Sequence, residues 1–191
     1  MDYPTIELVT GSRSFNRPAT RISIIAIMTA ACIASNYLLI GIFNVKLMDL
    51  LVFSSGFLFG PFVGASVGIL TWLVYGTINP YGFSLPVFFS TSLMESLYGI
   101  IGGLLGSNES IFLEKGFVLN FKFGIIGFLL TFLYDLVTNV ISGLSAGIPL
   151  SVAIITGIPF AIVHEGSNAA LFFLGASPLI SSVSRFISKV E

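Results

Sequence analysis

Four carboxylates stand within long apolar runs of this chain: Asp49, Glu95, Asp135 and Glu165. A carboxylate in such a run is costly, and it usually faces a bundle interior or a watery cavity where it binds a ligand or relays a proton. Helical spacing puts each of them on a face of small or polar residues. Thr91, Glu95, Tyr98, Gly102 and Gly106 share one face, and Gly127, Thr131, Asp135, Thr138, Asn139 and Ser142 share another. A third carries Gly157, Ala161, His164, Glu165 and Asn168, while Gly68, Trp72, Tyr75 and Asn79 form an aromatic one. Asn36 and Tyr37 lie near the end of the first apolar segment. A single Asn or Thr in such a place is more often interhelical glue, worth on the order of 1 kcal/mol. A carboxylate is more than glue requires.

Several chemistries are absent. No GxxxxGK[ST] phosphate loop and no GxGxxG motif occurs, so the chain does not hydrolyse nucleotide itself. His164-Glu165 starts like a zinc-protease HExxH, but position 168 is Asn168 and no second histidine exists. No metal and no cofactor is expected. Gly143-Leu144-Ser145-Ala146-Gly147 matches GxSxG, with His164 and Asp135 as formal partners for an intramembrane serine hydrolase. That motif belongs on a strand-to-helix elbow, and His164 would lie about 20 Å down its helix at 1.5 Å per residue, away from Ser145.

The elements that hold these residues must be membrane helices. Hydrophobic residues make up 55% of the 191 and charged residues only 9%, against a usual share of about 25%. Mean hydropathy is +1.00. A net charge of −1 offers no basic face for nucleic acid. Cys32 is the single cysteine, so there is no disulfide framework. At roughly 20 apolar residues per crossing, the chain reads as six spans: 20–43, 47–60, 62–78, 87–106, 121–142 and 151–175. Spans two and three are short and meet at Gly60-Pro61, a tight turn. The other breaks fall at Asn79-Pro80-Tyr81-Gly82, Ser107–Asn120 and Gly143–Pro149. This gives an all-α membrane domain over 20–180, with tails at 1–19 and 181–191. The first tail lacks the pattern of a cleavable signal.

Arg13, Arg17, Arg21, Lys115, Lys122, Arg185 and Lys189 fall on one side of a six-span chain, leaving Lys46 alone on the other. That asymmetry predicts cytoplasmic termini. It places Glu95, Asp135, Asn139, Trp72, Tyr75 and Asn36 in the outer half, beneath the loop Asn44–Asp49. The expectation is an aromatic-lined cavity open to the outside, with His164-Glu165 at its floor. Aromatic faces beside carboxylates suit a flat, hydrogen-bonding heterocycle, with a cationic ring favoured by Glu95 or Asp135. A neutral ring fits if one carboxylate is protonated.

Small residues form stripes of their own. Ala26, Ala30 and Ala34 recur every four residues on span one, and Gly56/Gly60, Gly64/Gly68, Gly102/Gly106 and Gly143/Gly147 repeat the spacing. Such stripes let helix backbones approach closely.

In this order along the chain, the pattern resembles the S components of energy-coupling factor (ECF) transporters. Ala26-Ile-Met-Thr-Ala30 is similar to that family's AxxxA on its first helix. Asn44-Val45-Lys46-Leu47-Met48-Asp49 leading to Ser55-Gly56-Phe57-Leu58-Phe59-Gly60-Pro61 also fits. So do Tyr134-Asp135-Leu136-Val137-Thr138-Asn139 and His164-Glu165-Gly166-Ser167-Asn168. The resemblance covers residues 20–180. It implies a non-enzymatic subunit in the plasma membrane that binds a vitamin or related micronutrient from outside, then tilts to release it inward. A T component and two ATPases would drive import. By position, Ala26 and Ala30 would meet the T component, and Ala34 extends the stripe, so that either alanine pair could dock. Asn44, Lys46, Glu95, Tyr98, Asp135, Asn139, His164 and Asn168 would draw in the substrate, with Asn36, Trp72 and Tyr75 beside them. The competing function is a self-sufficient transporter or channel using the carboxylates as an ion relay.

Overall fold

The computed structural model describes residues 17–80, 82–108 and 116–190, with side chains through 187. Arg13 and most of the N-terminal tail, Tyr81, Lys115 and the side chain of Lys189 lie outside the described residues. Among the described residues the chain forms six helical rods and no strand. They are α1 (Pro18–Leu38), α2 (Met48–Phe59), α3 (Pro61–Ile78), α4 (Leu85–Gly106), α5 (Phe117–Ser145) and a last rod. That rod joins α6 (Leu150–Leu171) through a π-helical turn, Phe172–Ala176, to α7 (Ser177–Val190).

Prolines open several of these helices. α1, α3 and α4 each carry proline in the first two positions, where a missing N–H costs nothing. Gly60, at φ +95°, makes the turn from α2 into Pro61 that the sequence predicts. Five rods are long and apolar enough to cross a membrane. The exception is α2, whose 12 residues reach only about 18 Å at 1.5 Å per residue. It has no need of lipid-spanning length, because ten of its residues are buried among the other helices.

Three boundaries differ from the sequence reading. α1 stops at Leu38 instead of 43, because Leu39–Phe43 coils into turns and Asn44 takes a left-handed φ of 48°. α5 begins four residues earlier and ends three later than expected, running between Gly116 and Gly147, both at positive φ. Span six does not end near 175. The rod continues through what reads as the start of a tail, and Ile180, Ser181, Ser184 and Ile187 are buried. The π turn explains the error: it ends just before Pro178, which then sits at the second position of a fresh helical segment and needs no donor. The wider turn also keeps Phe172, Ala176 and Ile180 pointing inward in succession to His164 and Asn168.

The packing is backbone against backbone. A Cβ added at Gly56 would run into the carbonyl of Gly99, and one at Gly99 would run into the backbone of Gly64. Gly102 and Gly106 sit equally tightly on the carbonyls of Phe53 and Phe57. The glycine pairs on spans two to four are therefore packing devices, apart from Gly60, which has open space around it and serves the turn. Phe53, Phe57, Phe123 and Phe172 interlock beneath them, with ring centroids 5.1–6.1 Å apart. Outward, large apolar side chains such as Phe62, Leu93, Leu129 and Ile155 are exposed, as a lipid-facing surface requires. Ala26, Ala30 and Ala34 also face outward, so the alanine stripe is not internal packing.

Candidate functional site

The bundle gathers its polar residues in three places. The first is a cavity of about 480 Å³ at the end of the bundle that carries the α1–α2 loop. Asn44 and Lys46 of that loop, Trp72, Tyr75 and Asn79 of the α3 end, and Phe88 and Thr91 of α4 form its walls. A neighbouring cavity of about 330 Å³ shares Asn44, Lys46 and Tyr75 and adds Asn36 and Phe160. The loop is tied down by Asn44, whose amide donates to the Phe160 carbonyl at 2.8 Å, next to the helix-interior Pro159. Tyr75 meets the rings of Trp72 and Tyr37 edge-on, each at 5.6 Å. The Lys46 ammonium lies 5.5 Å from the Trp72 centroid and 5.1 Å from that of Tyr134. Such contacts hold a cation at an aromatic wall.

The second place is a closed polar core behind that wall. His164 of α6 is 1% exposed, and both ring nitrogens are engaged. Nδ1 lies 2.9 Å from Asp135 Oδ1 on α5, and Nε2 lies 2.9 Å from Asp49 Oδ2 on α2. One turn further on, the Asn168 amide donates to the same Asp49 oxygen and to Thr131 Oγ1. Thr131 is linked in turn to the Tyr98 hydroxyl at 2.8 Å. Glu95, fully buried, accepts from the Trp72 indole at 3.3 Å and so touches the cavity wall only from behind.

The third is a side groove of about 230 Å³ between α5 and α6, lined by Asp135, Asn139 and Glu165. Asn139 packs there against Gly157, where any Cβ would collide with its amide.

This arrangement corrects the expected cavity. Asn44, Lys46, Trp72 and Tyr75 do line it, and Asn36 lines its neighbour. His164-Glu165 is not its floor. Residues one apart on a helix point about 100° apart, so His164 turns into the core while Glu165 turns to the side groove. Tyr98 and Asn168 are both bonded to Thr131 inside the core, and Asp135 holds His164 while lining the side groove rather than the loop-end cavities. The charge at the cavity wall is also reversed from the sequence expectation. Lys46 is the one charged side chain lining either loop-end cavity among the described residues, and the carboxylates are bonded inside. Lys46 is expected from the sequence both as a topological marker and as a residue of the substrate site, and it does line both cavities. Asp49, expected both as a span carboxylate and as the end of the loop above the site, is the hub of the polar core. Phe88 and Phe160 give no signal in the sequence, since apolar wall residues look like any other membrane phenylalanine.

The hydrolase geometry fails as well. Ser145 is exposed at the far end of α5 and donates to the Ile141 carbonyl at 2.6 Å. It stands ten residues, about 15 Å of helix, beyond the Asp135 that holds His164.

A family model described as "ECF-type riboflavin transporter, S component" matches residues 18–184. The chain belongs to that family. The match runs from the first residue of α1 into α7, so the polar core and both loop-end cavities fall within it. No match is found among curated proteins or among solved structures. As an S component with five membrane-capable helices among the described residues, the chain is a multi-pass plasma-membrane protein and the substrate-binding subunit of an ECF transporter.

Proposed function

We propose that this S component captures riboflavin, or a closely related flavin, in the loop-end cavity and delivers it to a T component with two ATPases. The observation that carries the reading is the cavity wall itself: Trp72 and Tyr75 side by side, one ammonium from Lys46, and neutral polar groups from Asn44, Asn79 and Thr91. A flavin is a flat, electron-poor ring with a carbonyl-rich edge and a polyol tail. The aromatic rings suit its faces, the ammonium suits its carbonyls, and the amides and hydroxyl suit its tail. The volume, about 480 Å³, lies within the roughly 300–1,000 Å³ of small-molecule sites.

In this reading α2 counts as a sixth, shielded crossing, the termini are cytoplasmic and the loop end faces outward. Asn44, Lys46, Trp72 and Tyr75 contact the ligand, with Asn36 beside it. Glu95, Tyr98, Asp135, Asn139, His164 and Asn168 support the wall from behind or the side. Titration of the purified protein with riboflavin tests it: saturable, one-to-one quenching of flavin fluorescence is expected, and its absence would remove the flavin assignment.

Ala26, Ala30 and Ala34, exposed on one face of α1, are the docking stripe for the T component. Ala30→Leu is expected to leave riboflavin affinity unchanged while sharply reducing the amount of T component recovered with the tagged protein. Equal loss of both would count against the stripe.

The Asp49–His164–Asp135 chain is the one feature that favours a self-sufficient, proton-coupled carrier. Liposomes holding the purified protein alone separate the two. Flavin uptake driven by a pH gradient would support the carrier, and uptake only with T component, ATPases and ATP supports the S component.

A further inference from the structure

His164 is the only histidine in the chain, and its two ring nitrogens face two different carboxylates at the same distance, 2.9 Å. A neutral imidazole has one donor and one acceptor nitrogen, whereas an ionised carboxylate only accepts. A neutral ring would therefore satisfy one aspartate and turn a lone pair against the other. Asn168 donates to the same Asp49 oxygen, as an amide does to an ionised carboxylate rather than to the hydroxyl of an acid. Two N–H groups on the ring satisfy both carboxylates at once, whereas a neutral ring does so only if Asp135 carries the proton.

We propose that the Asp49–His164–Asp135 triad is a proton-binding site, in which His164 carries hydrogen on both ring nitrogens and so clamps α6 to both α2 and α5. The charged and titratable groups around it are consistent with this. Asp49 faces it from α2 and Asp135 from α5. The Tyr134 ring meets the imidazole edge-on at 5.7 Å, and the Lys46 ammonium sits over Tyr134. From α4 come Glu95, held by Trp72, and Tyr98, reached through Thr131 and Asn168. Cys32 of α1 lies beside Met48, and Glu165 of α6 turns to the side groove. Loss of the proton sets a lone pair against an aspartate in a dry interior and releases one helix. Asp49 is three residues from Lys46, so a loosened α2 start reaches the cavity wall directly. This does not depend on which ligand the cavity takes.

The single histidine makes the test direct. Protein labelled with ¹⁵N-histidine, in nanodiscs and without added ligand, should show both ring nitrogens protonated at neutral pH. Raising the pH should convert the ring to the neutral form in one step, and the thermal unfolding midpoint should fall by several degrees in the same interval. His164→Gln, which keeps one donor but cannot titrate, should lose that pH-dependent fall. A bare ring nitrogen at neutral pH overturns the proposal, as does a parallel fall in His164→Gln. If the variant does not fold, the wild-type spectrum decides alone.

Discussion

Replacing Trp72 with alanine is expected to weaken riboflavin binding by about thirtyfold or more, the scale of an aromatic anchor at the centre of a binding surface. Trp72 borders the main cavity, its ring is braced by Tyr75, and Lys46 lies over it. Truncation removes the stacking face and the brace for the ammonium together. It also takes the indole N–H from Glu95, whose other oxygen has no partner within the protein, so some stability should be lost too. Trp72→Phe separates these contributions. It keeps an aromatic face and loses only the N–H, so affinity should be largely retained while the unfolding temperature drops. Equal loss of affinity in both variants would mean that Trp72 acts by holding Glu95 and that the ligand does not stack on it.

The largest effect on folding is expected at Gly99. Its missing side chain lets α4 lie directly on the Gly64 backbone of α3, with Gly56 of α2 pressed against the same turn. Gly99→Val would need three helices to separate, and none of the atoms in the way belongs to a flexible side chain. A destabilisation of about 4 kcal/mol or more is expected, the range reserved for severe core disruption. Thermal unfolding in detergent would read it, alongside loss of monodisperse protein. Gly166→Ala is the control: the glycine is exposed, an added Cβ meets nothing, and the change should stay within about 0.5 kcal/mol. A well-folded Gly99→Val protein would show that α2, α3 and α4 do not meet as described.

These two residues mark what a sequence reader can and cannot see. The GxxxG spacing of the Gly99 partners Gly56 and Gly64 is visible, and so is its meaning, because close approach is the main use of such spacing in a membrane, but Gly99 itself stands outside the pairs read from the sequence. The turn at Gly60-Pro61 is equally plain. Trp72 was legible as a candidate wall residue because it shares a helical face with Tyr75 and Asn79, and it does line the main cavity. The direction of each carboxylate was not legible. Glu95, Asp49 and Asp135 look alike in an apolar run, and only the packing shows that each has a partner inside the bundle. His164 and Glu165 are neighbours in sequence and face different spaces. The extension of the last rod was hidden for a related reason. Pro178 and the serines around it resemble an ending, and a π turn leaves no signature in composition. Lys46 was legible as a loop residue beside the site, but not as the charge that faces the cavity, because the carboxylates of the spans looked equally available.

The charge of the cavity has a practical consequence for ligand choice. With Lys46 at the wall and the carboxylates withdrawn, a cationic heterocycle finds no counter-ion in the open space. A neutral, carbonyl-rich ring finds one donor cation and several neutral partners.

The most direct test of the account is mass spectrometry of the small molecules that co-purify with the detergent-solubilised protein. One equivalent of riboflavin or a close flavin, retained through washing and lost in Trp72→Ala, is the result expected. A stoichiometric compound of cationic or non-aromatic character, or a flavin content unchanged by Trp72→Ala, would contradict the proposed site.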